Sequence, residues 1–382
     1  MKKLLFLFVS ILTITSCKQT ASQTGAANGN ADDTAKVVLK YAKGFTVEYK
    51  DGCKLVTIAD PQKEDAKEYK FALVPRGEKN SFKNLQNQGY TLLETPVRGV
   101  ICMTALQLSG FIKLEALDHI VGINTSRRLE NKEMAQRIEE GKTVKIGKEG
   151  NFDEELIIAA NPDVIFISLS KRGGYDKMEE VGLPLVPYLG YQETDPLAQA
   201  EWIKFTGMFI GETEKANQLF EGIEKRYLEA KNLMAQQTNQ TPKTILYGLM
   251  HGANWYAMGG ESYFSHLFRD AGIEYFLKDD NRSGGVNIDF EKIYEQAGQC
   301  DYWIIQNKNK EPMTYESMKS QDPRYADFRA WKEKHVICCE TFKTTVNEEA
   351  PMEPDVVLKD IIKAVYPNLL PDYEQKYYKL LP

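Results

Sequence analysis

TEKANQLFEGIEKRYLEAKNLMAQ, the sequence from Thr213 to Gln236, contains one Gly and no Pro. Its apolar residues recur at helical spacing, and Glu, Lys and Arg occupy the positions between them. The recurring residues are Ala216, Leu219, Phe220, Ile223, Tyr227 and Leu233. This pattern predicts one long helix that exposes half of its surface.

The chain carries a similar pattern on each side of this predicted helix. Glu155 to Asp163 runs into Val164-Ile-Phe-Ile167, and Glu291 to Asp301 runs into Tyr302-Trp-Ile-Ile305. Each copy predicts a short amphipathic helix that a Glu opens, then an Asp and a buried strand. The repetition indicates two similar α/β lobes joined by one helical spine.

Composition limits the class of protein. A chain of 382 residues with 42% hydrophobic residues can form two domains with sizeable cores. The net charge of −6 argues against a nucleic-acid partner, because phosphate neutralisation requires a basic face. We therefore expect small or uncharged partners. We also expect the protein to be a monomer.

The N-terminus resembles a bacterial lipoprotein signal. Lys2 and Lys3 precede an apolar run that is too short to span a membrane, and Ile14-Thr-Ser-Cys17 resembles a lipobox. We expect residues 1–16 to be a signal peptide, Cys17 to be lipidated, and residues 17–36 to be a flexible tether. No acidic cluster follows Cys17, which favours an anchor on the periplasmic side.

Five cysteines remain after Cys17, an odd number that cannot pair completely within one chain. Cys102, Cys338 and Cys339 lie inside apolar runs, so we expect buried small side chains. No C-x-x-C or H-x-x-x-H spacing indicates a zinc site.

Residues 37–95 predict a small β extension packed on the first lobe. Phe45 to Tyr49 and Cys53 to Ile58 alternate apolar and polar residues around Asp51-Gly52, which predicts a hairpin. Tyr69 to Val74 predicts a third strand. We expect this extension to cap the lobe without carrying chemistry.

Strands alternate with helices in both lobes, residues 96–193 and 241–382, which flank linking helices in residues 194–240. The alternation predicts mainly parallel sheets, whose ligands lie outside the carboxyl ends of the strands. Polar, basic and aromatic residues follow the predicted strands, and we expect them to line a cleft between the lobes. The candidates are Thr104, Arg127, Arg128, Lys148, Lys171, Arg172, Tyr188, Tyr191, His251, Trp255, Arg282 and Lys343.

The order of these segments resembles the substrate-binding proteins of ABC importers for iron chelates, haem and cobalamin. The resemblance covers residues 97–367 and is carried by Arg98 to Thr104, Ala116 to Gly122, Glu155 to Ile165, the spine, and Gly259 to Phe264. It implies two Rossmann-like lobes with parallel sheets joined by one long helix, a periplasmic protein anchored to a membrane by lipid, and no resident cofactor. It also implies that Glu155 and Glu291 dock the two lobes onto a permease dimer. The alternative for these two residues is a helix cap with no partner.

The resemblance leaves the ligand open among a ferric siderophore, haem and cobalamin. Cobalamin-binding relatives cradle the corrin with aromatic residues, and the matching positions here are Glu149, Lys171 and Gly285. The basic residues of the predicted cleft suit an anionic chelate, so a ferric siderophore ranks first. His251 is a candidate haem ligand, although a lone His after a strand is more often a hydrogen-bonded structural residue.

A secreted α/β hydrolase is the alternative of another class. The chain has no G-x-S-x-G, H-E-x-x-H or P-loop sequence, and four His residues are few for catalysis. We therefore expect no enzymatic activity.

Overall fold

The computed structural model describes residues 35–124, 129–148, 151–169, 175–237 and 241–382, without the side chains of Asp176 and Lys177. The predicted signal peptide and Cys17 lie outside these residues. Every helix in the described ranges is too short or too polar to cross a lipid bilayer.

The N-terminal extension forms a four-stranded sheet in the order β1-β2-β3-β4. Its strands are β1 (Phe45–Lys50), β2 (Cys53–Ile58), β3 (Tyr69–Pro75) and β4 (Thr91–Thr95). Asp51 and Gly52 both have positive φ, 48° and 82°, as a tight two-residue hairpin turn requires. The hairpin and third strand are confirmed, whereas β4, which pairs parallel with β3, was not predicted.

The first lobe contains a five-stranded parallel sheet in the order β11-β10-β5-β6-β7. The strands of this lobe are β5 (Val100–Cys102), β6 (Ile120–Ile123), β7 (Val144–Lys145), β8 (Gly147–Lys148), β9 (Asn151–Phe152), β10 (Val164–Ile167) and β11 (Leu185–Pro187). Its helices are α1 (Leu108–Lys113), α2 (Lys132–Glu139), α3 (Glu154–Ala159) and α4 (Asp176–Glu180). The parallel arrangement places the residues after β5, β6, β10 and β11 at one edge of the sheet.

Two helices link the lobes, α5 (Pro196–Ile210) and α6 (Thr213–Ala235). The buried residues of α6 are Thr213, Ala216, Phe220, Ile223, Tyr227 and Ala230, so the predicted half-exposed spine is confirmed. Every residue of α5 except Gln199 is buried. Gly207 allows the close approach of the two helices, because a Cβ atom there would lie 2.5 Å from the Cβ of Ala216.

The second lobe repeats the plan around a sheet in the order β15-β12-β17-β18-β19, parallel except for β19. Its strands are β12 (Lys243–Tyr247), β13 (Leu249–His251), β14 (Asn254–Met258), β15 (Ile273–Tyr275), β16 (Gly285–Ile288), β17 (Tyr302–Asn307), β18 (Val336–Glu340) and β19 (Tyr378–Leu380). Its helices are α7 (Tyr263–Asp270), α8 (Phe290–Ala297), α9 (Tyr315–Gln321), α10 (Arg329–Lys332), α11 (Val346–Glu349) and α12 (Pro354–Val365).

One predicted strand of the second lobe is wrong in detail. The sequence predicts a single strand from Thr244 to Met250, but the chain breaks at Gly248, whose φ is 106°. Gly adopts this conformation without the steric cost that other residues incur. The break starts a separate antiparallel sheet of β13, β14 and β16.

The extension is attached to helix α5 through two buried carboxylates. Glu201 accepts hydrogen bonds from the backbone N–H groups of Lys40, Tyr41 and Ala42, at 3.0, 2.8 and 2.8 Å. Oε1 of Glu193 accepts from the backbone N–H groups of Lys43 and Gly44, at 2.9 and 2.8 Å. The chain that follows the predicted tether is therefore fixed to the linking helices.

Candidate ligand cleft and docking surface

The carboxyl ends of the strands carry several of the predicted ligand residues. Thr104 is half-buried and follows β5, the central strand of the first sheet. Its backbone N–H donates to Oε1 of Gln107 at 3.1 Å, which closes the turn into α1. Tyr191 is half-buried in the turn after β11. These two residues therefore lie at the same edge of the first sheet.

Two predicted cations are exposed, and within the described parts of the chain neither forms an ion pair. Lys148 ends β8 in the first lobe, and Lys343 follows β18 in the second. Both ammonium groups are therefore available to an anionic ligand. The other predicted cations of the first lobe, Arg127, Arg128, Lys171 and Arg172, lie outside the described residues.

Arg282 has a carboxylate partner, Asp280, that its sequence pattern does not reveal. Its Nε lies 3.0 Å from both carboxylate oxygens of Asp280, and its backbone N–H donates to Oδ1 of Asp280 at 2.9 Å. The hydrogen bond from the Arg282 guanidinium holds the pKa of Asp280 below its usual value. An anionic ligand must therefore compete with Asp280 for Nε and Nη2 of this guanidinium.

Two of the predicted aromatic ligand residues belong to hydrophobic cores. Tyr188 is fully buried, and its ring lies 4.9 Å from that of Trp202, measured between centroids. Trp255 is also fully buried and packs against Trp303 and Phe328, at centroid distances of 5.4 and 5.5 Å. The prediction that these two rings contact the ligand is wrong, because neither exposes surface to the cleft.

His251 differs from the expected structural histidine. It ends β13 at an exposed hairpin, beside Gly252 with a φ of 63°. Its imidazole has no hydrogen-bond partner among the residues that the structure describes. The ring is therefore free to accept a ligand from solvent.

The lobes also contact each other beside the cleft. The backbone N–H of Glu130, after β6, donates to Oε1 of Glu348 at 2.8 Å. Glu348 is buried, and burial raises the pKa of its carboxyl group above the usual value. Lys113 of α1 forms an ion pair with Glu353 at 3.1 Å. These contacts join the first lobe to the segment around α11.

Glu155 and Glu291 occupy equivalent positions, but neither is the first residue of its helix. Each is the second residue, and the N-cap residues are Asp153 and Asp289. The side chain of Asp153 accepts from the backbone N–H of Leu156 at 3.0 Å. Both Glu side chains are exposed. The side chain of Asp153 thus caps α3, whereas Asp289 makes no side-chain cap hydrogen bond. Neither Glu is the N-cap residue, and both lie in the first turn of their helices, where a negative charge suits the helix dipole.

Helices α3 and α8 each also expose an apolar side chain three residues after the Glu. Ile158 in α3 is 59% exposed, and Tyr294 in α8 is 40% exposed. Residues three apart on a helix lie on the same face. Both lobes therefore present a carboxylate beside an apolar group.

The five described cysteines are free and buried. Burial raises the pKa of the Cys300 and Cys339 thiols to about 12. The prediction of buried small side chains is confirmed for Cys102, Cys338 and Cys339. In the described ranges, no group of three or more His, Cys, Asp or Glu side chains has an arrangement that could hold a metal ion.

Comparison with protein families identifies the class of protein. Residues 100–341, more than half of the chain, match the periplasmic binding protein family, and the chain belongs to this family. Its members are solute-binding proteins of ABC transport, and the family is not one of enzymes.

Among curated relatives, the chain is 27% identical to an uncharacterized lipoprotein of Methanocaldococcus jannaschii over 79% of this chain and 76% of the relative. A periplasmic haem-binding protein from Pseudomonas aeruginosa has a similar fold, with a TM-score of 0.57, 15% identity, and coverage of 75% of this chain and 98% of that one. An ABC-type Fe³⁺-hydroxamate transport protein from Saccharomonospora viridis gives a TM-score of 0.55 at 17% identity, covering 71% and 94%. The mixed α/β fold with parallel sheets is thus confirmed.

Proposed function

We propose that this protein captures a ferric siderophore in the cleft between its lobes and delivers it to an ABC permease. The family match supports the transport role, and the cations at the strand ends support the ligand class. The choice of an anionic ligand is based on Lys148 and Lys343, because both are exposed and lack an ion-pair partner among the described residues. The structures of similar fold include a haem-binding protein and an Fe³⁺-hydroxamate transport protein, which agrees with an iron-containing cargo.

Anionic chelates fit these side chains on chemical grounds. Catecholate and carboxylate siderophores carry negative oxygen atoms around the iron, and ammonium groups bind such oxygens as point charges. Cobalamin carries a single phosphate anion away from its metal and therefore offers these cations fewer partners. The iron is cargo in this proposal and needs no ligand from the protein.

Docking onto the permease is proposed for Glu155 and Glu291. An exposed carboxylate gains little from an Arg in open water, but the same pair gains more where an interface excludes solvent. The exposed Ile158 and Tyr294 support such an interface, because apolar side chains beside each Glu exclude water when a partner covers them.

We also propose that the protein is a monomer held at the periplasmic face of a membrane by lipid on Cys17. The lipobox-like sequence supports the anchor, and the curated relative named as a lipoprotein is consistent with it. The attachment of residues 40–44 to α5 fixes where the tether meets the folded protein.

A binding screen tests the ligand class. Ferric tris-catecholate, ferric citrate, ferric tris-hydroxamate, haemin and cyanocobalamin are titrated separately while tryptophan fluorescence is recorded. Trp202, Trp255 and Trp303 are fully buried, so a coloured ligand quenches them by energy transfer and not by contact. We expect the anionic ferric chelates to bind most tightly. Tight binding of cyanocobalamin alone would contradict the proposal.

Haem is the second candidate because of His251. Its exposed imidazole lacks a described hydrogen-bond partner and is chemically suited to bind haem iron. If haem is the cargo, haemin produces a histidine-ligated absorption spectrum that disappears in His251→Ala. An unchanged spectrum in that variant would remove the specific support for haem.

A further inference from the structure

One side chain of the N-terminal extension contacts both lobes. Nε2 of Gln62, in the loop between β2 and β3, donates to the carbonyl oxygen of Gln192 at 2.6 Å. Oε1 of the same side chain accepts from Oγ of Ser283 at 2.6 Å. Gln192 belongs to the first lobe and Ser283 to the second. The amide of Gln62 therefore bridges the lobes.

The loop that presents Gln62 is held in place at its base. The backbone N–H of Ala59 donates to the carbonyl oxygen of Gly44 at 3.0 Å. The backbone N–H of Gln62 donates to Oδ1 of Asp60 at 3.0 Å. The ion pair of Lys63 with Asp60 at 3.3 Å is solvent-exposed on the Lys side and contributes little to the position of the loop. Since Gly44 is itself bound to Glu193 beside α5, the loop position follows that of the linking helices.

The bridge lies beside the candidate ligand cleft. Gln192 comes directly after Tyr191 at the carboxyl end of β11, an edge strand of the first sheet. Ser283 follows Arg282, whose carbonyl oxygen accepts from the backbone N–H of Glu261 at 3.1 Å. The bridge thus adjoins one predicted ligand residue in each lobe.

A further contact between the lobes lies on the opposite flank of the first sheet. Glu130 and Glu348 meet after β6, on the far side of β5 from β11. Thr104, at the end of β5, lies between the two contacts along the sheet edge. Along this edge, the candidate ligand cleft therefore lies between the Gln62 bridge after β11 and the Glu130 contact after β6.

We propose that Gln62 is a clasp across the cleft, through which the extension limits lobe separation and slows the exchange of the chelate. The part of this inference that concerns exchange rests on the proposed function. The extension therefore does more than cap the first lobe, because its loop also reaches the second lobe.

The test compares four single variants in the full chain. Gln62→Ala removes both hydrogen bonds, Gln62→Glu removes the donor to Gln192, and Ser283→Ala removes the donor to Gln62. Lys63→Ala is the matched control, because the ion pair of Lys63 stays within the loop. Nitroxide labels on Glu155→Cys and Glu291→Cys report the lobe separation by pulsed electron resonance, and the five described native cysteines are buried. Dissociation of ferric tris-catecholate and of haemin is measured by stopped flow.

We expect Gln62→Ala and Ser283→Ala to broaden the distribution of inter-label distances or to shift it to longer distances. Dissociation of the ligand should become about two- to tenfold faster, the range for loss of one or two exposed hydrogen bonds. The double variant Gln62→Ala with Ser283→Ala should have nearly the same distances and dissociation rate as either single variant, because both substitutions remove the same bridge. Lys63→Ala should match the wild type. Unchanged distances in Gln62→Ala and Ser283→Ala would overturn the clasp. A changed distance without binding of any probe would support the clasp and contradict the proposed ligand class.

Discussion

Glu201→Ala is expected to release the N-terminal segment from α5 at a large cost in stability. The Glu201 side chain is 0% exposed and Lys204 is 5% exposed, with their charged atoms 2.7 Å apart. Glu201 also accepts the backbone N–H groups of Lys40, Tyr41 and Ala42. The variant leaves a buried ammonium group and three backbone donors without this acceptor.

The magnitude follows from the buried charge. Removal of one partner from a buried ion pair costs about 3–5 kcal/mol, because the remaining charge is uncompensated. Water can reach the three released backbone donors, so we do not add their separate costs. We expect a loss of about 3–5 kcal/mol.

The assay combines urea denaturation with hydrogen exchange of the amides of residues 40–42. Glu201→Met with Lys204→Met should cost less than Glu201→Ala alone, because the double variant leaves no buried charge. Glu229→Ala, an exposed change on α6, should alter stability by less than about 0.5 kcal/mol. A loss below about 1 kcal/mol for Glu201→Ala, or unchanged amide exchange, would refute the reasoning.

Three further predictions concern binding and transport. Asp280→Asn should tighten binding of ferric tris-catecholate and leave binding of cyanocobalamin unaffected, because it frees the Arg282 guanidinium. Equal affinities of the variant and the wild type in these titrations would contradict a ligand contact by Arg282. Ile158→Asn and Tyr294→Asn should lower iron uptake without changing ligand affinity. The control Leu228→Asn, on the exposed face of α6, should change neither quantity. Normal uptake by Ile158→Asn and Tyr294→Asn would contradict the apolar docking contacts. X-ray scattering of the free and loaded protein should give nearly equal radii of gyration, because bending the continuous α6 would break backbone hydrogen bonds; a change of several ångströms would contradict this.

Local patterns predicted much of the fold. The spacing of Ala216, Phe220 and Ile223 identifies α6, since a half-exposed helix has apolar residues at helical spacing on its buried face and polar residues on the other. Asp51-Gly52 identifies the hairpin, because both residues adopt the positive φ that a tight two-residue turn requires. Helix α5 gives no such signal, because a helix buried on all sides has no polar face to reveal its period. It was expected only as part of the linking region.

The candidate site was predicted less well, because a strand end does not reveal which way its side chain points. Tyr188 and Trp255 follow the same sequence pattern as exposed aromatic residues, yet both rings pack inside the cores. The pairing of Arg282 with Asp280 depends on the local turn, and the bridge by Gln62 depends on where a distant loop packs. The positions of Glu155 and Glu291 were predictable because the pattern occurs twice.

The most direct test of the account measures ligand affinity and transport side by side in Glu155→Arg with Glu291→Arg. Both side chains are exposed in the free protein, so folding and affinity for the ferric chelate should remain near wild type. Iron uptake into cells or into vesicles that contain the permease should fall sharply, because each lobe would present a cation where the partner is expected to carry one. Wild-type affinity with lost uptake is the predicted result. Normal uptake by the charge-reversed protein would contradict delivery through these two residues.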